Sequence, residues 1–224
     1  GSITSTVSAN TDAGFSIVGY TGNGTAGATI GHGLSKTPDL VFVKRRNGTG
    51  NTLATMPILG NNYLQLTTNE ATIAHAVFFN NTLPTATVFS VGTANDVNAN
   101  TGTHIAYCFH SVDGYSKVGS YTGNGNADGT FVYTGFRPAF ILLKQSTASQ
   151  DWQIYDVKRS PTNLIDDALY PNTSGAEATA NYLDMDIVSN GFKVRAVSGA
   201  NNVNNGTYVY LAFAETPFKY SNAR

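Results

Sequence analysis

The chain has few charged side chains: Asp, Glu, Lys and Arg make up 12% of its 224 residues, about half the usual share in a soluble domain. Its net charge is −1 and its isoelectric point is near 6.4. A nucleic-acid-binding surface needs a basic patch, and the one basic cluster, Lys44-Arg45-Arg46, fits a solvated strand end better. We therefore expect no nucleic-acid partner.

Cysteine and long apolar runs are also scarce. Cys108 is the single cysteine, so no disulfide can form within the chain, and its apolar neighbours predict a buried, inert thiol. No stretch approaches the roughly 18 apolar residues of a membrane span, and no signal peptide is visible. We expect no membrane insertion, and we interpret Gly1-Ser2 as a tag remnant at the start of a linker over residues 1–13.

Asparagine, threonine and glycine take the place of the missing charges, with 23 Asn, 28 Thr and 23 Gly. Threonine and the aromatic residues favour half-buried strands, whereas asparagine and glycine supply the positive-φ positions of tight turns. Hydrophobic residues still make up 41% of the chain, which is enough for a core. This composition predicts an all-β protein with many strands and turns.

A long internal repeat organises the chain, because three segments of the first half recur roughly one hundred residues later. The pairs are GFSIVGYTGNG at 14–24 with GYSKVGSYTGNG at 114–125, TPDLVFVKR at 37–45 with RPAFILLKQ at 137–145, and segment 87–110 with segment 190–214. We predict a tandem duplication of a β-sandwich or jelly-roll-like unit, over residues 14–113 and 114–224. Two separate sandwiches and one shared sandwich are both compatible with the repeat.

Within each copy, apolar runs at 40–44 and 140–144 predict central strands buried on both faces. The last two strand-like segments of each copy flank a loop rich in Asn and Gly, which predicts a hairpin. Helix signals are weak and short, at 69–76 and 163–169.

No motif predicts metal binding, a cofactor or catalysis. The four histidines, His32, His75, His104 and His110, lack metal-ligand spacing. The segment 96–102 alternates oxygen-bearing side chains as a calcium loop does, but its glycine falls one place late and no bidentate acid follows. We interpret this loop as a hairpin turn.

Two carboxylate pairs could in principle serve glycoside hydrolysis, which needs two acids flanking one bond. They are Asp184 with Asp186 and Asp166 with Asp167, and the first copy matches neither pair. We favour the interpretation that they are solvated loop acids. No Gly-x-Ser-x-Gly elbow, phosphate loop or dinucleotide fingerprint is present, so we expect no enzyme and name no catalytic residue.

The candidate ligand-binding residues are Asp151, Trp152 and Tyr155. This stretch holds the only Trp, with a Tyr three residues later, beside acids and Gln. An aromatic face beside polar hydrogen-bonding groups can hold the apolar face of a sugar ring. The alternative interpretation is that Trp152 completes the core of the second unit.

The repeated phrases, together with DGTFVYTGFRPAFILLK and TYVYLAFAETPFKYSNAR, resemble a module of bacteriophage tail-fibre or receptor-binding proteins, of the kind found in marine and cyanobacterial podoviruses. The resemblance spans residues 13–224 and weakens over 50–87 and 150–186. It implies a virion, extracellular location, a homotrimeric fibre and a host-surface glycan or protein receptor, without naming a catalytic residue. Variable segments on a repeated scaffold are where specificity is expected.

Three functions follow from these observations. The first is an adhesin-like module that recognises a host glycan, because low charge with abundant Asn, Thr and Tyr suits adaptable polar contacts. The second is a fibre-assembly or capsid-decoration domain without a ligand, and the third is a polysaccharide depolymerase. An exposed Trp152 would favour the first and a buried Trp152 the second.

Overall fold

The computed structural model describes residues 1–217, and the chain forms two compact units. The first comprises residues 1–67 and 72–111, and the second comprises residues 68–71 and 112–217. Nearly all regular structure is antiparallel strand, so the all-β prediction is confirmed. Within the described part of the chain, no helix has the length and apolar character needed to span a membrane.

The first unit contains eight strands, two single-turn α-helices and a 3-10 turn at Pro57–Leu59. The strands are β1 (Ser5–Asn10), β2 (Phe15–Thr21), β3 (Ala28–Gly31), β4 (Leu40–Arg45), β5 (Leu53–Thr55), β6 (Tyr63–Gln65), β7 (Val88–Val91) and β8 (Thr103–Phe109). The helices are α1 (Ala76–Phe79) and α2 (Asn95–Asn98).

The second unit contains nine strands among the described residues. They are β9 (Ser116–Thr122), β10 (Phe131–Tyr133), β11 (Pro138–Gln145), β12 (Gln153–Asp156), β13 (Asp167–Ala168), β14 (Ala178–Thr179), β15 (Met185–Val188), β16 (Gly191–Val194) and β17 (Thr207–Ala214). The rest of the last predicted repeat, residues 218–224, lies outside the described residues.

The two units share one strand order. The larger sheet of the first unit runs β1-β2-β8-β4-β5-β6, and that of the second runs β12-β11-β17-β9, so β2, β8, β4 and β5 correspond to β9, β17, β11 and β12. The smaller sheets, β3-β7 and β10-β16-β15, correspond in the same way. This is the arrangement that a duplicated module predicts, although common ancestry itself stays a prediction.

Each unit packs its own core between its two sheets, as in a β-sandwich. In the first unit the core joins β2, β4 and β8 to β3 and β7. In the second it joins β9, β11 and β17 to β10, β15 and β16. Cys108 lies in the first core and is fully buried, as predicted, and burial raises the pKa of its thiol to about 12.

Three local predictions are wrong. Residues 5–10, predicted as linker, form β1, which pairs with β2 along its whole length. The last two strands of each copy do not form a hairpin, because β7 and β16 belong to the smaller sheets and β8 and β17 to the larger ones. The segments at 69–76 and 163–169 form no helix apart from the start of α1 at residue 76.

The Asn-rich loops instead cross between sheets and hold the repeated Thr-Gly-Asn-Gly turn. In the first unit Asn98 Nδ2 donates to the carbonyls of Gly92 (2.7 Å) and Thr25 (3.0 Å), and Asn98 Oδ1 accepts from the Asn23 N–H (2.9 Å). A Cβ at Gly22 would lie 2.4 Å from the carbonyl oxygen of Ala99, so only glycine fits there.

The second unit repeats this contact with Asn202. Its Nδ2 donates to the carbonyls of Ala196 (3.0 Å) and Asn126 (2.8 Å), and its Oδ1 accepts from the Asn124 N–H (3.0 Å). We call the two buried asparagines, Asn98 and Asn202, with the turns at 22–25 and 123–126 that they hold, the asparagine latches. Because each latch joins both sheets, the repeated motif is scaffold.

Candidate functional site

The predicted ligand-binding aromatic residues are buried. Trp152 is 2% exposed and Tyr155 is 1% exposed. Tyr155 packs in the core of the second unit, its hydroxyl donates to Gln153 Oε1 (2.8 Å), and burial raises its pKa. A sugar ring stacks only on an exposed aromatic face. Neither ring is available for that contact in this structure, and the interpretation of Trp152 as a buried structural residue is the one that fits.

Asp151 serves the same segment. Its Oδ1 accepts from Asn172 Nδ2 (2.7 Å), and Asn172 Oδ1 in turn accepts from the Trp152 N–H (2.9 Å). The carboxylate therefore fixes an asparagine that holds the main chain at the buried tryptophan. These contacts give Asp151 a structural role beside Trp152.

One member of each carboxylate pair, Asp167 or Asp186, is engaged in local contacts. Asp167 accepts from Ser160 (2.7 Å) and Thr179 (2.5 Å), and these hydrogen bonds lower its pKa. Asp186 forms an ion pair with Arg195 (3.2 Å). Partial burial, with the nearby charges of Asp166 and Asp186, raises the pKa of Asp184.

The histidines lie in the first unit, and two of them are structural. His32 is fully buried, its Nδ1 accepts from the Leu34 N–H (3.2 Å), and its Nε2 contacts the Thr85 carbonyl (3.1 Å). Burial lowers the pKa of His32 and of His104. Among the described residues no group of three His, Cys, Asp or Glu side chains could hold a metal ion.

Two exposed aromatic residues lie side by side on the smaller sheet of the second unit. Phe131 is 46% exposed and Tyr133 is 59% exposed, and they point to the same face of β10 because they are two residues apart. Val132 between them points into the core. We call Phe131 and Tyr133 the aromatic pair.

The neighbouring strand shapes the aromatic pair. On β16, Lys193 lies opposite Phe131 and Gly191 lies opposite Tyr133. A Cβ at Gly191 would lie 2.1 Å from the carbonyl oxygen of Val132 and 3.2 Å from Cε2 of Phe131, so only glycine fits beside this main chain and this ring. Lys117 Nζ stands 5.4 Å from the Tyr133 ring centroid and donates to the Tyr133 carbonyl (3.1 Å).

A row of charged side chains borders the pair. Lys193 contacts Asp128 (2.5 Å), and Arg195 contacts Asp128 (3.3 Å) and Asp186 (3.2 Å). Lys193 lowers the pKa of Asp128 through its hydrogen bond and its charge. Exposed pairs of this kind add little stability, and they can exchange their partners for hydroxyl groups of a ligand.

The first unit lacks this surface although its backbone register is the same. Thr29 pairs with Ser90 and Gly31 with Val88, where the second unit pairs Phe131 with Lys193 and Tyr133 with Gly191. One sequence feature marks this difference between the copies: two aromatic residues, two positions apart, align with Thr29 and Gly31 of the first copy. Exposed aromatic rings beside fixed donors and acceptors can bind a polyhydroxylated ring.

Comparison with known proteins identifies one family. A family model described as a domain of unknown function (DUF7483) matches residues 1–217. No curated protein matches the chain. No solved structure matches it.

Proposed function

We propose that this chain, which belongs to the DUF7483 family, is a non-catalytic recognition module of a phage tail fibre that binds a host-surface glycan through the aromatic pair. The observation that carries the proposal is the exposure of Phe131 and Tyr133 at positions where the first unit has Thr29 and Gly31. The first unit forms its smaller sheet in the same register without these rings, so the pairing of the strands does not require them.

Two further observations support it. The sequence resembles tail-fibre modules over most of its length, and recognition surfaces commonly use tyrosine with adaptable polar side chains. The row formed by Lys193, Asp128 and Arg195 supplies donors and acceptors beside the rings. A virion location and a homotrimeric fibre belong to the same proposal.

The second candidate is a fibre-assembly or capsid-decoration domain without a ligand. The burial of Trp152, at 2% exposure, favours it, because that ring contributes to packing and offers no binding face. The two candidates differ in one measurable property, which is whether the isolated chain binds glycans.

The test is binding of the purified chain to an array of bacterial surface polysaccharides. We expect the wild type to bind a subset, and the double variant Phe131→Ala, Tyr133→Ala to bind at least tenfold more weakly, about 1.4 kcal/mol or more. Tyr182→Ala is the matched control, because Tyr182 is 45% exposed in the same unit and belongs neither to β10 nor to β16, the strand that pairs with it.

Absence of binding to every polysaccharide would reject the recognition role in favour of the structural one. Equal losses in the double variant and in Tyr182→Ala would reject the aromatic pair as the site. Light scattering tests the oligomer separately, since a homotrimer has three times the chain mass of 23.7 kDa.

A further inference from the structure

A groove of about 560 Å³ lies on the larger sheet of the first unit. The residues that line it come from β1, β2 and β8 and from the chain just before β1 and just after β4. Its volume falls within the range of small-molecule binding sites, roughly 300–1,000 Å³. It is separate from the aromatic pair, which belongs to the second unit.

Gly19 forms the floor of the groove. It pairs with Thr6 on one side and with Ile105 on the other, in the middle of three adjacent strands. A Cβ placed on Gly19 would meet no heavy atom closer than the Thr6 carbonyl oxygen, 4.0 Å away. The groove therefore exists because β2 has no side chain at this position.

The walls carry hydroxyl groups around a small apolar strip. Thr6, Thr21 and Thr103 are exposed and line the groove, and Ile17, which is 37% exposed, supplies the apolar strip. Hydroxyl groups with a short apolar surface match the mixed character of a sugar ring.

Arg46 gives the groove its charge. The main-chain N–H of Arg46 donates to the Thr103 carbonyl (2.8 Å). This hydrogen bond fixes the Arg46 main chain beside the paired residues Thr21 and Thr103. Among the described lining residues none is acidic, and Arg46 is the only Lys or Arg. No ion pair of the Arg46 side chain occurs within the described part of the chain.

The other two cations of the cluster are engaged elsewhere. Lys44 Nζ donates to the Gly50 carbonyl (2.7 Å), and Arg45 Nε donates to Asn47 Oδ1 (3.3 Å). Of these three cations, Arg46 alone lines the groove. A guanidinium pairs with a carboxylate through two parallel hydrogen bonds.

We propose that this groove binds a carboxylate-bearing saccharide, with Arg46 on the carboxylate and the threonine hydroxyls on the ring. This site deepens the proposed glycan-binding function and rests on it, but it uses different residues in a different unit. It also gives Arg46, the residue of the basic cluster that follows β4, a role beyond a solvated strand end.

The test is isothermal titration calorimetry with trigalacturonic acid and with its methyl ester, which keeps the rings and removes the charges. We expect the wild type to bind the acid at least tenfold more tightly than the ester. Arg46→Gln removes this preference by weakening acid binding at least tenfold. Lys36→Gln is the control of equal charge change, outside the groove, and we expect it to alter binding less than twofold.

Gly19→Val tests the groove itself. Valine favours strands, and the space above Gly19 is open, so the variant folds while its side chain fills the floor. We expect acid binding to be lost with an unchanged melting temperature. This variant separates a filled groove from an unfolded protein.

Three outcomes would overturn the proposal: no acid binding by the wild type, equal binding of acid and ester, or full binding by Arg46→Gln. Array binding by the double variant Phe131→Ala, Tyr133→Ala tells a failure of the groove proposal apart from a failure of the proposed function. If the chain binds array glycans through the aromatic pair while Arg46→Gln and Gly19→Val bind trigalacturonic acid as the wild type does, the groove proposal fails and the proposed function stands.

Discussion

The two units use the same frame to enclose different interiors. Tyr20 stacks on His104 in the first unit (ring centroids 5.1 Å apart), and Tyr121 stacks on Tyr208 at the same place in the second (4.9 Å). Tyr20 donates its hydroxyl to the Val97 carbonyl, and Tyr121 donates its hydroxyl to the Asn201 carbonyl, each at 2.6 Å. Val97 and Asn201 directly precede the latch asparagines. The frame therefore includes the aromatic stack and the latch.

The interiors around that frame differ in polarity. Leu53 and Val97 are fully buried in the first unit, where the second unit has Gln153 and Asn201, also buried. The surfaces differ as well, since only the second unit has the aromatic pair. Residues common to both units hold the fold, whereas the differing ones set the chemistry of each unit.

The largest effect is expected at the latches. Asn98→Ala and Asn202→Ala each remove three hydrogen bonds to buried or half-buried main-chain groups, so each should destabilise its own unit by about 3 kcal/mol. Chemical denaturation measures the loss. The exposed neighbours Asn100 and Asn204 are the controls, and their alanine variants should change stability by less than about 0.5 kcal/mol.

A large loss in one unit only would break the comparison, because the latch would then not be a shared element. Hydrogen exchange followed by mass spectrometry assigns the loss to a unit, since peptides from 1–67 and from 112–217 report separately.

A smaller difference is expected at the equivalent lysines. Lys144 is fully buried, its Nζ donates to the carbonyls of Gln145 (2.7 Å) and Asn69 (3.2 Å), and burial lowers its pKa to about 8. Lys44 is only half-buried and donates to one carbonyl. Lys144→Met should therefore cost about 2 kcal/mol in denaturation experiments, and Lys44→Met less than about 0.5 kcal/mol.

Equal costs at the two positions would contradict this prediction, because they would show that the buried amine contributes no more than the half-exposed one. Lys144→Arg is a useful third variant. It keeps the charge but does not fit a site shaped for an ammonium, so it should also destabilise the second unit.

The mildest effect is expected from acid. All four histidines lie in the first unit, and burial lowers the pKa of His32 and His104. Below about pH 6.5 the unfolded chain binds more protons at these groups than the folded chain does, so the stability of the first unit falls as pH falls. We expect hydrogen exchange, corrected for its intrinsic rate, to increase in the first unit between pH 7.0 and 5.5.

The variant His104→Tyr sharpens this comparison, because tyrosine is the residue of the second unit at the equivalent position, Tyr208. It should reduce the acid sensitivity of the first unit. Equal loosening of both units on acidification would contradict the assignment to histidine, since the second unit contains none.

The sequence predicted the strand content well and the pairing of strands poorly. The apolar runs at 40–44 and 140–144 lie in β4 and β11, because continuous burial leaves a plain signal. The predicted hairpins are wrong because a short Asn- and Gly-rich loop can make two kinds of connection. It can join two neighbouring strands of one sheet, or it can cross from one sheet to the other, and the residue types are the same in both cases. The contacts of Asn98 and Asn202 with both sheets, which only the structure shows, identify the crossing connection.

The site could be predicted only in part. Tryptophan beside tyrosine and acids is typical of binding sites, but Trp152 and Tyr155 are buried, and burial depends on which strands cover them. Phe131 and Tyr133 differ from Thr29 and Gly31 in the aligned copy, which is visible in the sequence. Their exposure on the outer side of β10 became evident only with the fold.

The strand order also determines when each unit can fold during synthesis. The strand that comes late in each unit, β8 or β17, lies in the larger sheet between β2 and β4 or between β9 and β11, respectively. Until β8 has left the ribosome, no strand pairs with both β2 and β4. In the same way, no strand pairs with both β9 and β11 until β17 has emerged. Such long-range pairing makes folding slow, so each nascent unit exposes unpaired strands until its final residues are made, and chaperones have the most to protect at that stage.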